Sequence, residues 1–298
     1  MNAFALPPDM QSRVLHDEPM SRHTSWHVGG PADLYFTPNS VEDVAAFLRN
    51  LQPDSSVLWI GLGSNLLVRD GGIRGAVVAT HGVFDELERI NAGEVWSGSG
   101  VACAKLAKQC IKWGLGPAEF FAGIPGTLGG ALAMNAGAFG GETWSHVVSV
   151  TTIDRAGTVH ERHNSEYQVS YRHVSGPANE YFLGARLKFE PRPGVSNEDI
   201  RLLLARRKAT QPIGEWSCGS VFTNPAGDHA ARLIDTAGLK GHRIGGARVS
   251  EMHANFIVND GSATAADIEQ LIEFVQRTVA EKFGVQLNPE VRVVGERA

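Results

Sequence analysis

Residues 123–142 contain seven of the chain's 34 glycines. Glycine permits positive φ angles and lets a ligand approach the main chain, but each glycine inside a regular element costs about 0.5–1 kcal/mol. We therefore expect no packed helix or strand in this stretch. Successive exposed N–H groups form a concavity that binds anions. The stretch predicts a cradle for phosphate oxygens or a flavin edge, to which Thr127, Met134 and Asn135 could add contacts.

A second glycine-rich loop occupies residues 61–72 and follows the apolar run at residues 57–60. A tight turn or a close helix crossing would explain one such cluster, but two clusters weaken that explanation. The loop lacks the Gly-Lys-Ser/Thr ending of a Walker loop, and it also lacks the G-x-G-x-x-G fingerprint of dinucleotide-binding folds. These exclusions favour a different fold for binding a flavin or a nucleotide.

Five motifs follow one another between about residue 24 and residue 295, namely residues 61–72, residues 123–142, Tyr171-Arg172, residues 219–225 and residues 289–292. Together they resemble the UDP-N-acetylenolpyruvoylglucosamine reductase family. The resemblance implies an α+β fold. It also implies a two-part FAD-binding domain of the vanillyl-alcohol-oxidase/PCMH type, followed by a smaller α/β substrate-binding domain.

The same resemblance implies a reaction. NADPH would give hydride to noncovalent FAD, and UDP-N-acetylglucosamine enolpyruvate would be reduced to UDP-N-acetylmuramate for peptidoglycan. The short interval between Arg172 and Gln211 resembles the subclass without a tyrosine-loop insertion. The residues that the two glycine-rich motifs assign to FAD are Gly61, Gly63, Ser64, Asn65, Gly123, Ile124, Pro125, Gly126, Gly129, Gly130, Asn135, Ala136 and Gly137.

An arginine is expected to face the substrate's carboxylate. Reduction of an enolpyruvyl double bond places negative charge on that carboxylate, and groups aimed at this charge lower the barrier. Arg172 matches the family's arginine, and its planar guanidinium can bind a carboxylate with two hydrogen bonds. The alternative is a surface arginine on a strand. The neighbouring His173 is expected to be structural or exposed.

A hydroxyl and a carboxyl group complete the catalytic set implied by the resemblance. Ser220 matches the proton donor, because protonation of a carbanion-like carbon needs proximity more than a low pKa. Ser217 is the alternative hydroxyl. Glu290 matches the acidic member, and we expect partial burial to raise the pKa of its carboxyl group and favour the neutral form. The alternative for Glu290 is a carboxylate at the rim that pairs with Arg292.

Contacts to the nucleotide-sugar are less well defined by the sequence. Exposed residues that are merely solvated are the alternative explanation for each candidate. Met252 stands where the resembled family leads us to expect lysine, and we assign it no catalytic role. The candidates for substrate binding are Tyr171, Arg207, Asn224, Lys240 and Arg292.

Composition excludes several function classes. The formal net charge of −5 and the pI of about 6.1 argue against nucleic-acid partners, which require a basic surface. The three cysteines form no C-x-x-C pair, so neither disulfides nor a metal site is expected. The N-terminal segment has no basic region and no secretory pattern. No apolar run approaches the 18 residues of a membrane span. We expect a monomeric enzyme in the cytoplasm.

The length of 298 residues predicts at least two domains. We expect a surface lead-in at residues 1–23, an FAD-binding domain at 24–192 and a substrate-binding domain at 193–298, with a linker at 191–194. The predicted helices are 41–50, 102–113, 199–208, 230–237 and 265–283. The predicted strands are 33–37, 57–60, 75–79, 94–97, 147–153, 158–161, 181–190, 220–222, 247–250, 256–259 and 291–294.

Three helices carry additional signals. Ser40 and Thr264 are predicted to cap the helices that follow them. The helix at 199–208 is expected to be charged and amphipathic. The helix at 265–283 carries a core stripe with 3.6-residue spacing that ends at Phe283.

Two other function classes remain open from the residues alone. An FAD-linked oxidase of small alcohols could use the same flavin fold, but its second domain would be unrelated and the Gly-Ser-Val-Phe motif at residues 219–222 would have no purpose. A catalytically silent protein that binds flavin or nucleotide-sugar would be expected to lack the arginine, the serine or the glutamate. All three are present.

Overall fold

The computed structural model describes residue 6 and residues 8–298, and it has mixed helix and strand content. The expected α+β class is confirmed. The α-helices of the described residues are Pro8–Gln11, Val41–Asn50, Cys103–Lys112, Leu128–Met134, Asn197–Thr210, Ala230–Thr236 and Ala265–Phe283. Pro8–Gln11 and Leu128–Met134 were not predicted, and the other five lie close to their predicted bounds.

The chain forms two compact units, each built from several segments. The first comprises the described residues up to Leu15 together with Leu34–Gly61 and Ala76–Ala205. The second comprises His16–Asp33, Leu62–Gly75 and Arg206–Ala298. This division differs from a linear division at residue 192, because two early segments of the chain belong to the second unit.

The first unit contains a five-stranded antiparallel sheet. Its order is Val159–His163, Val147–Asp154, Glu180–Lys188, Glu94–Gly98 and Leu87–Arg89. The helix Cys103–Lys112 buries Cys103, Leu106, Ala107, Cys110 and Ile111 in the core that includes this sheet. Those positions recur at the spacing of one helical face, which explains why this segment is an amphipathic helix.

A four-stranded sheet has the order Val14–Pro19, Pro31–Phe36, Ile73–Ala79 and Val57–Ile60. The last two strands are parallel, and the helix Val41–Asn50 precedes Val57–Ile60 in the chain. Ser40 caps this helix as expected, since its hydroxyl accepts the N–H of Asp43 at 3.2 Å. The ring of Phe47 stacks on Phe36 with 4.2 Å between the ring centroids.

The expected surface lead-in at residues 1–23 is wrong for most of its described part. Val14–Pro19 is a strand of the four-stranded sheet, and Met10 and Met20 are buried. The sequence signal was weak because this strand, Val-Leu-His-Asp-Glu-Pro, is largely polar. Residues 1–5 and 7 lie outside the described residues.

The second unit contains a small antiparallel sheet with the order Arg243–Ile244, Ala247–Val249 and Ile257–Asn259. The helix Ala265–Phe283 shares a core with this sheet. A parallel pair joins Leu66–Val68 to Arg292–Val294. The remaining short strand pairs of the described chain lie in the first unit and are Gly137–Ala138 with Gly141–Glu142, Gln168–Ser170 with His173–Ser175, and Leu115–Gly116 with Glu190–Pro191.

Three predictions about individual elements are wrong. The helix Asn197–Thr210 has no apolar stripe, since Ile200 is its one buried residue and Leu202 is 53% exposed. Phe283 is at the exposed end of its helix and does not belong to the core stripe. Residues 220–222 form no strand, and only an isolated bridge pairs Phe222 with Pro289.

The cap of the long helix provides a test of local stability. The hydroxyl of Thr264 accepts the N–H of Asp267 at 3.1 Å, and the Asp267 carboxylate accepts the N–H of Thr264 at 3.0 Å. We expect Thr264→Ala to lower the free energy of unfolding by about 1 kcal/mol, whereas Thr264→Ser keeps the hydroxyl and most of the stability. Urea unfolding followed by circular dichroism measures the difference. Equal stability of the two variants would contradict this role for the cap.

Candidate active site

The glycine-rich stretch at residues 123–142 contains a helix, which corrects the expectation that it has no regular element. Leu128–Met134 is helical, and both Gly129 and Gly130 lie within it. The helix begins after Thr127 and ends at Asn135, whose φ of 47° is left-handed. Packing against the core therefore outweighs the cost of two glycines, since Leu128, Gly129, Ala131 and Leu132 are buried.

The loop at Gly61 approaches the start of this helix closely. A Cβ atom at Gly61 would overlap Oγ1 of Thr127, so any larger residue there would force the Thr127 side chain to shift. The two glycine-rich segments thus meet within the first unit at these two residues. The sequence contained both motifs but gave no sign that they are neighbours.

Two buried hydroxyl groups near this contact have no partner. The hydroxyls of Thr127 and Ser99 are buried, and within the described part of the chain neither has a hydrogen-bond partner. The carbonyl of Ser99 accepts the N–H of Gly129 at 2.8 Å, which places Ser99 beside the same helix. Buried hydroxyls in folded proteins nearly always have a partner. These two are therefore available to a polar ligand, which fits the cofactor expected for the glycine-rich loops.

The preceding residues of the stretch differ in their exposure. Ile124 is buried, Pro125 is exposed and Gly126 is half-buried. The carbonyl of Gly126 accepts the N–H of Cys103 at 2.9 Å, so this turn is held against the helix Cys103–Lys112. Contacts of these residues and of Gly123 with FAD remain predictions.

Asn135 has a structural function that the sequence did not reveal. Its side-chain oxygen accepts the N–H of Trp144 at 3.0 Å, and its amide donates to Glu142 at 3.0 Å and to the carbonyl of Ser170 at 3.1 Å. The residue is only 1% exposed. Asn135 therefore holds the glycine-rich stretch together through internal hydrogen bonds, and its contact with FAD remains a prediction, as do those of Ala136 and Gly137.

Arg172 lies at the tip of a hairpin beside this stretch. Tyr171 and Arg172 form the two-residue turn between the strands Gln168–Ser170 and His173–Ser175. Arg172 has a φ of 55°, which is uncommon for a residue other than glycine. Its guanidinium donates to the carbonyl of Gly137 at 2.9 Å and to that of Asn135 at 3.3 Å. The turn and these bonds hold Arg172 in one orientation, unlike an ordinary surface arginine on a strand.

The neighbours of Arg172 in sequence are more exposed. Tyr171 is 49% exposed, and the Arg172 guanidinium lies 5.0 Å from the centre of its ring. His173 is exposed, as expected.

The left-handed backbone of Arg172 is strained for a residue other than glycine. Such residues often occur at functional sites, which supports a function for Arg172.

In the second unit, Asn65 and Glu290 lie on adjacent segments. The side-chain amide of Asn65 donates to the carbonyl of Glu290 at 3.0 Å, and the carbonyl of Asn65 accepts the N–H of Arg292 at 3.1 Å. The carbonyl of Gly63 accepts the N–H of Ser25 at 3.3 Å, and Ser64 between these residues is half-buried. The amide of Asn65 thus holds the main chain at Glu290, and its contact with FAD remains a prediction.

The structure also brings the Ser220 segment to Glu290. The N–H of Glu290 donates to the carbonyl of Val221 at 2.8 Å. Burial raises the pKa of the nearby Cys218 thiol well above its usual value. Glu290 is half-buried, as expected. The predicted proton donor and the predicted acid therefore belong to paired segments of one compact unit, although 70 residues separate them in the sequence.

The five candidates for substrate contact have different environments. The side-chain oxygen of Asn224 accepts the N–H of Ala230 at 3.1 Å, at the start of the helix Ala230–Thr236. Lys240 pairs with Asp235 at 2.9 Å. Burial lowers the pKa of Arg207, whose guanidinium donates to Gln211 at 2.7 Å. Arg292 and Tyr171 are exposed. Their contacts with substrate remain predictions.

The described residues contain neither a membrane-spanning helix nor a metal cluster. No helix among them is long and apolar enough to cross a membrane. They also contain no group of three or more His, Cys, Asp or Glu residues that could hold a metal ion.

Comparison with known proteins defines the class and then the family. Residues 32–162 match the model of an FAD-binding domain, and residues 211–294 match the C-terminal domain of UDP-N-acetylenolpyruvoylglucosamine reductase. The chain is thus a flavin-dependent oxidoreductase with a second domain. It belongs to the UDP-N-acetylenolpyruvoylglucosamine reductase family, which serves peptidoglycan precursor synthesis. The expected FAD-binding domain and FAD cofactor are confirmed.

Individual relatives cover almost the whole chain. The enzyme of that name from Alkalilimnicola ehrlichii is 58% identical over 95% of each chain. That from Methylococcus capsulatus is 55% identical over 95% of this chain and 93% of its own. The crystal structure of the reductase from Thermus caldophilus has a TM-score of 0.78 at 33% identity, and the match covers 94% of this chain and 97% of that one.

The nature of the FAD attachment can be tested directly. The resemblance implies a noncovalent cofactor, so we expect the protein to purify yellow. Acid precipitation should release the flavin into the supernatant, where its absorption spectrum identifies it. Flavin that remained in the washed pellet would show a covalent bond and contradict this expectation.

Proposed function

We propose that this chain reduces the enolpyruvyl group of UDP-N-acetylglucosamine enolpyruvate, using NADPH as the hydride donor, to give UDP-N-acetylmuramate. The observation that carries this proposal is the pairing of the Ser220 segment with Glu290, through the bond of 2.8 Å between the Glu290 N–H and the Val221 carbonyl. A protein that only bound flavin would have no need of a hydroxyl and a carboxyl group on paired segments. We also propose that it acts as a cytoplasmic monomer.

The reaction adds one hydride and one proton to a carbon–carbon double bond. Hydride bonds to the terminal methylene carbon, and the electron pair of the double bond moves toward the substrate's carboxylate. A proton then bonds to the carbon that bears the ether oxygen. FAD, when bound, supplies the hydride after accepting it from the nicotinamide. The protein must stabilise the charge on the carboxylate and deliver the proton to one carbon.

Arg172 stabilises the charge in this proposal. Its guanidinium is already oriented by the carbonyls of Asn135 and Gly137, so it loses little freedom when it meets a carboxylate. The hairpin turn and the left-handed φ of 55° hold the backbone in the same way. The protein thus sets the orientation of this cation before substrate binds.

Ser220 delivers the proton, and Glu290 in its neutral form donates a hydrogen bond to the developing charge. Ser220 is half-buried and lies next to Val221, whose carbonyl holds the Glu290 main chain. This bond fixes the main-chain segments that carry Ser220 and Glu290 relative to each other. The serine hydroxyl is a weak acid, so it speeds proton delivery through its position and not through a low pKa.

The Arg172→Lys variant tests the role of the guanidinium. Lysine keeps the charge but cannot make two parallel hydrogen bonds. We expect kcat to fall by about 10²-fold or more with a smaller change in KM, as for an interaction made in the transition state. Steady-state kinetics on FAD-loaded protein measure both constants.

Arg155→Lys is the matched control for this variant. Arg155 also lies in the first unit and donates to two main-chain carbonyls, those of Gln52 at 2.8 Å and Ser55 at 3.3 Å. We expect its kcat to stay within about threefold of the wild type, because Arg155 has no proposed part in the chemistry. A near-normal kcat in Arg172→Lys would remove Arg172 from the mechanism.

The Ser220→Ala variant separates the two half-reactions. Reduction of FAD by NADPH should proceed at nearly the normal rate, because the hydroxyl takes no part in it. Oxidation of the reduced flavin by the enolpyruvyl substrate should slow by roughly 10²–10⁴-fold, the usual contribution of a positioned general acid. Stopped-flow absorbance measures each half-reaction. Ser220→Cys should retain more activity, since a thiol can deliver a proton from a similar position.

Ser217→Ala is the control, because this neighbouring hydroxyl has no proposed role and its loss should be mild. Equal slowing of both half-reactions in Ser220→Ala would mean that Ser220 shapes the flavin site. The proton donor would then be another group.

A further inference from the structure

Asn255 is a buried residue that the proposed reaction does not use. It is 4% exposed and lies in the loop between the strands Ala247–Val249 and Ile257–Asn259. The sequence gave no sign of what its side-chain amide contacts. A buried side-chain amide without hydrogen-bond partners destabilises the fold, so the partners of the Asn255 amide indicate which part of the chain it holds.

Within the described part of the chain, both hydrogen bonds of the Asn255 side chain go to one residue near Ser220. Its oxygen accepts the N–H of Phe222 at 3.0 Å, and its amide donates to the carbonyl of Phe222 at 2.8 Å. In addition, the main-chain carbonyl of Asn255 accepts the N–H of Val221 at 2.9 Å. Asn255 thus makes three hydrogen bonds to the two residues that directly follow Ser220.

The same two residues hold the acid of the proposed mechanism. The carbonyl of Val221 accepts the N–H of Glu290 at 2.8 Å, and Phe222 pairs with Pro289. Val221 and Phe222 are buried, at 0% and 2% exposure. The dipeptide Val221-Phe222 is therefore fixed on one side by Asn255 and on the other by the Glu290 segment.

The chain immediately before Ser220 is irregular. Residues 217–221 belong to no helix or strand. Gly219 has a φ of 85°, and a Cβ atom there would meet no other group within 4 Å. Cys218 anchors the chain on this side in the core, whereas the peptide groups that follow Ser220 are held by Asn255.

We propose that Asn255 is a positioning residue, which sets the direction of the Ser220 hydroxyl by holding the peptide groups of Val221 and Phe222. This inference rests on the proposed role of Ser220 as proton donor. A displacement of about 1 Å in such a group is enough to reduce a rate by about 10²-fold. Asn255 acts through Ser220 and has no contact with substrate in this proposal.

The test compares Asn255→Ala and Asn255→Asp with the wild type. Aspartate keeps the acceptor for the Phe222 N–H but loses the donor to its carbonyl, so it provides a second variant if alanine prevents folding. We expect flavin reduction by NADPH within about threefold of normal, and flavin oxidation by the enolpyruvyl substrate slower by about 10²-fold. The solvent deuterium isotope effect on the oxidation step should rise, because proton delivery then limits it.

Asn259→Ala is the matched control. Asn259 is also a buried asparagine of the second unit, but its side chain bonds to Trp26 at 2.7 Å, Gly261 at 2.8 Å and Ala263 at 3.0 Å. It should show a comparable loss of thermal stability without selective slowing of flavin oxidation. Equal slowing of both half-reactions in the Asn255 variants, or an unchanged isotope effect, would overturn the positioning role.

A double variant separates this inference from the proposed function. If Asn255 acts through Ser220, then Ser220→Ala with Asn255→Ala should oxidise flavin no more than about threefold slower than Ser220→Ala alone. Fully additive losses would overturn the inference. If flavin oxidation is slow in Ser220→Ala but normal in Asn255→Ala, only the positioning role of Asn255 is overturned. If flavin oxidation is normal in Ser220→Ala, the proposed role of Ser220 is overturned, and the positioning role of Asn255 with it.

Discussion

Buried main-chain polar groups must find hydrogen-bond partners, and in each of the two units the candidate residues lie on segments that have few regular partners. Side chains supply the missing bonds. Asn135 closes the glycine-rich stretch, Arg172 binds two of its carbonyls, Asn65 binds the carbonyl of Glu290, and Asn255 binds both polar groups of Phe222. These bonds allow irregular backbone to hold one shape, and the proposed chemistry depends on that shape.

The second glycine-rich loop shows how such a segment serves several purposes. Its Asp70 carboxylate accepts the N–H groups of Ala265 and Ala266 at 3.0 and 2.9 Å, so it neutralises the positive end of the long helix. Arg69 pairs with Glu269 on the same helix at 2.9 Å and lowers the pKa of that carboxyl group. This pair adds stability at neutral pH that is lost as the pH falls through the lowered pKa.

Much of the fold could be predicted where local pattern and packing agree. The helices at 41–50 and 265–283 were predicted with their caps, because Ser40 and Thr264 act within one turn of chain. Prediction failed where distant partners decided the outcome. The polar segment Val14–Pro19 is a strand because it lies beside Pro31–Phe36, and Leu128–Met134 is a helix because a core accepts its leucines. The predicted amphipathic pattern of the charged helix Asn197–Thr210 was wrong, because Ile200 is its one buried residue and the helix therefore has no buried apolar face.

The sequence by itself determined the family and the chemical groups, because an ordered set of motifs names residue types and their spacing along the chain. It could not determine which atoms those groups meet. Thr127 and Gly61, Asn65 and Glu290, and Asn255 and Phe222 are neighbours only in the folded chain. Hydrogen bonds act over about 3 Å in space whatever the separation in sequence. The positions of the candidate catalytic groups were therefore decided by tertiary structure alone.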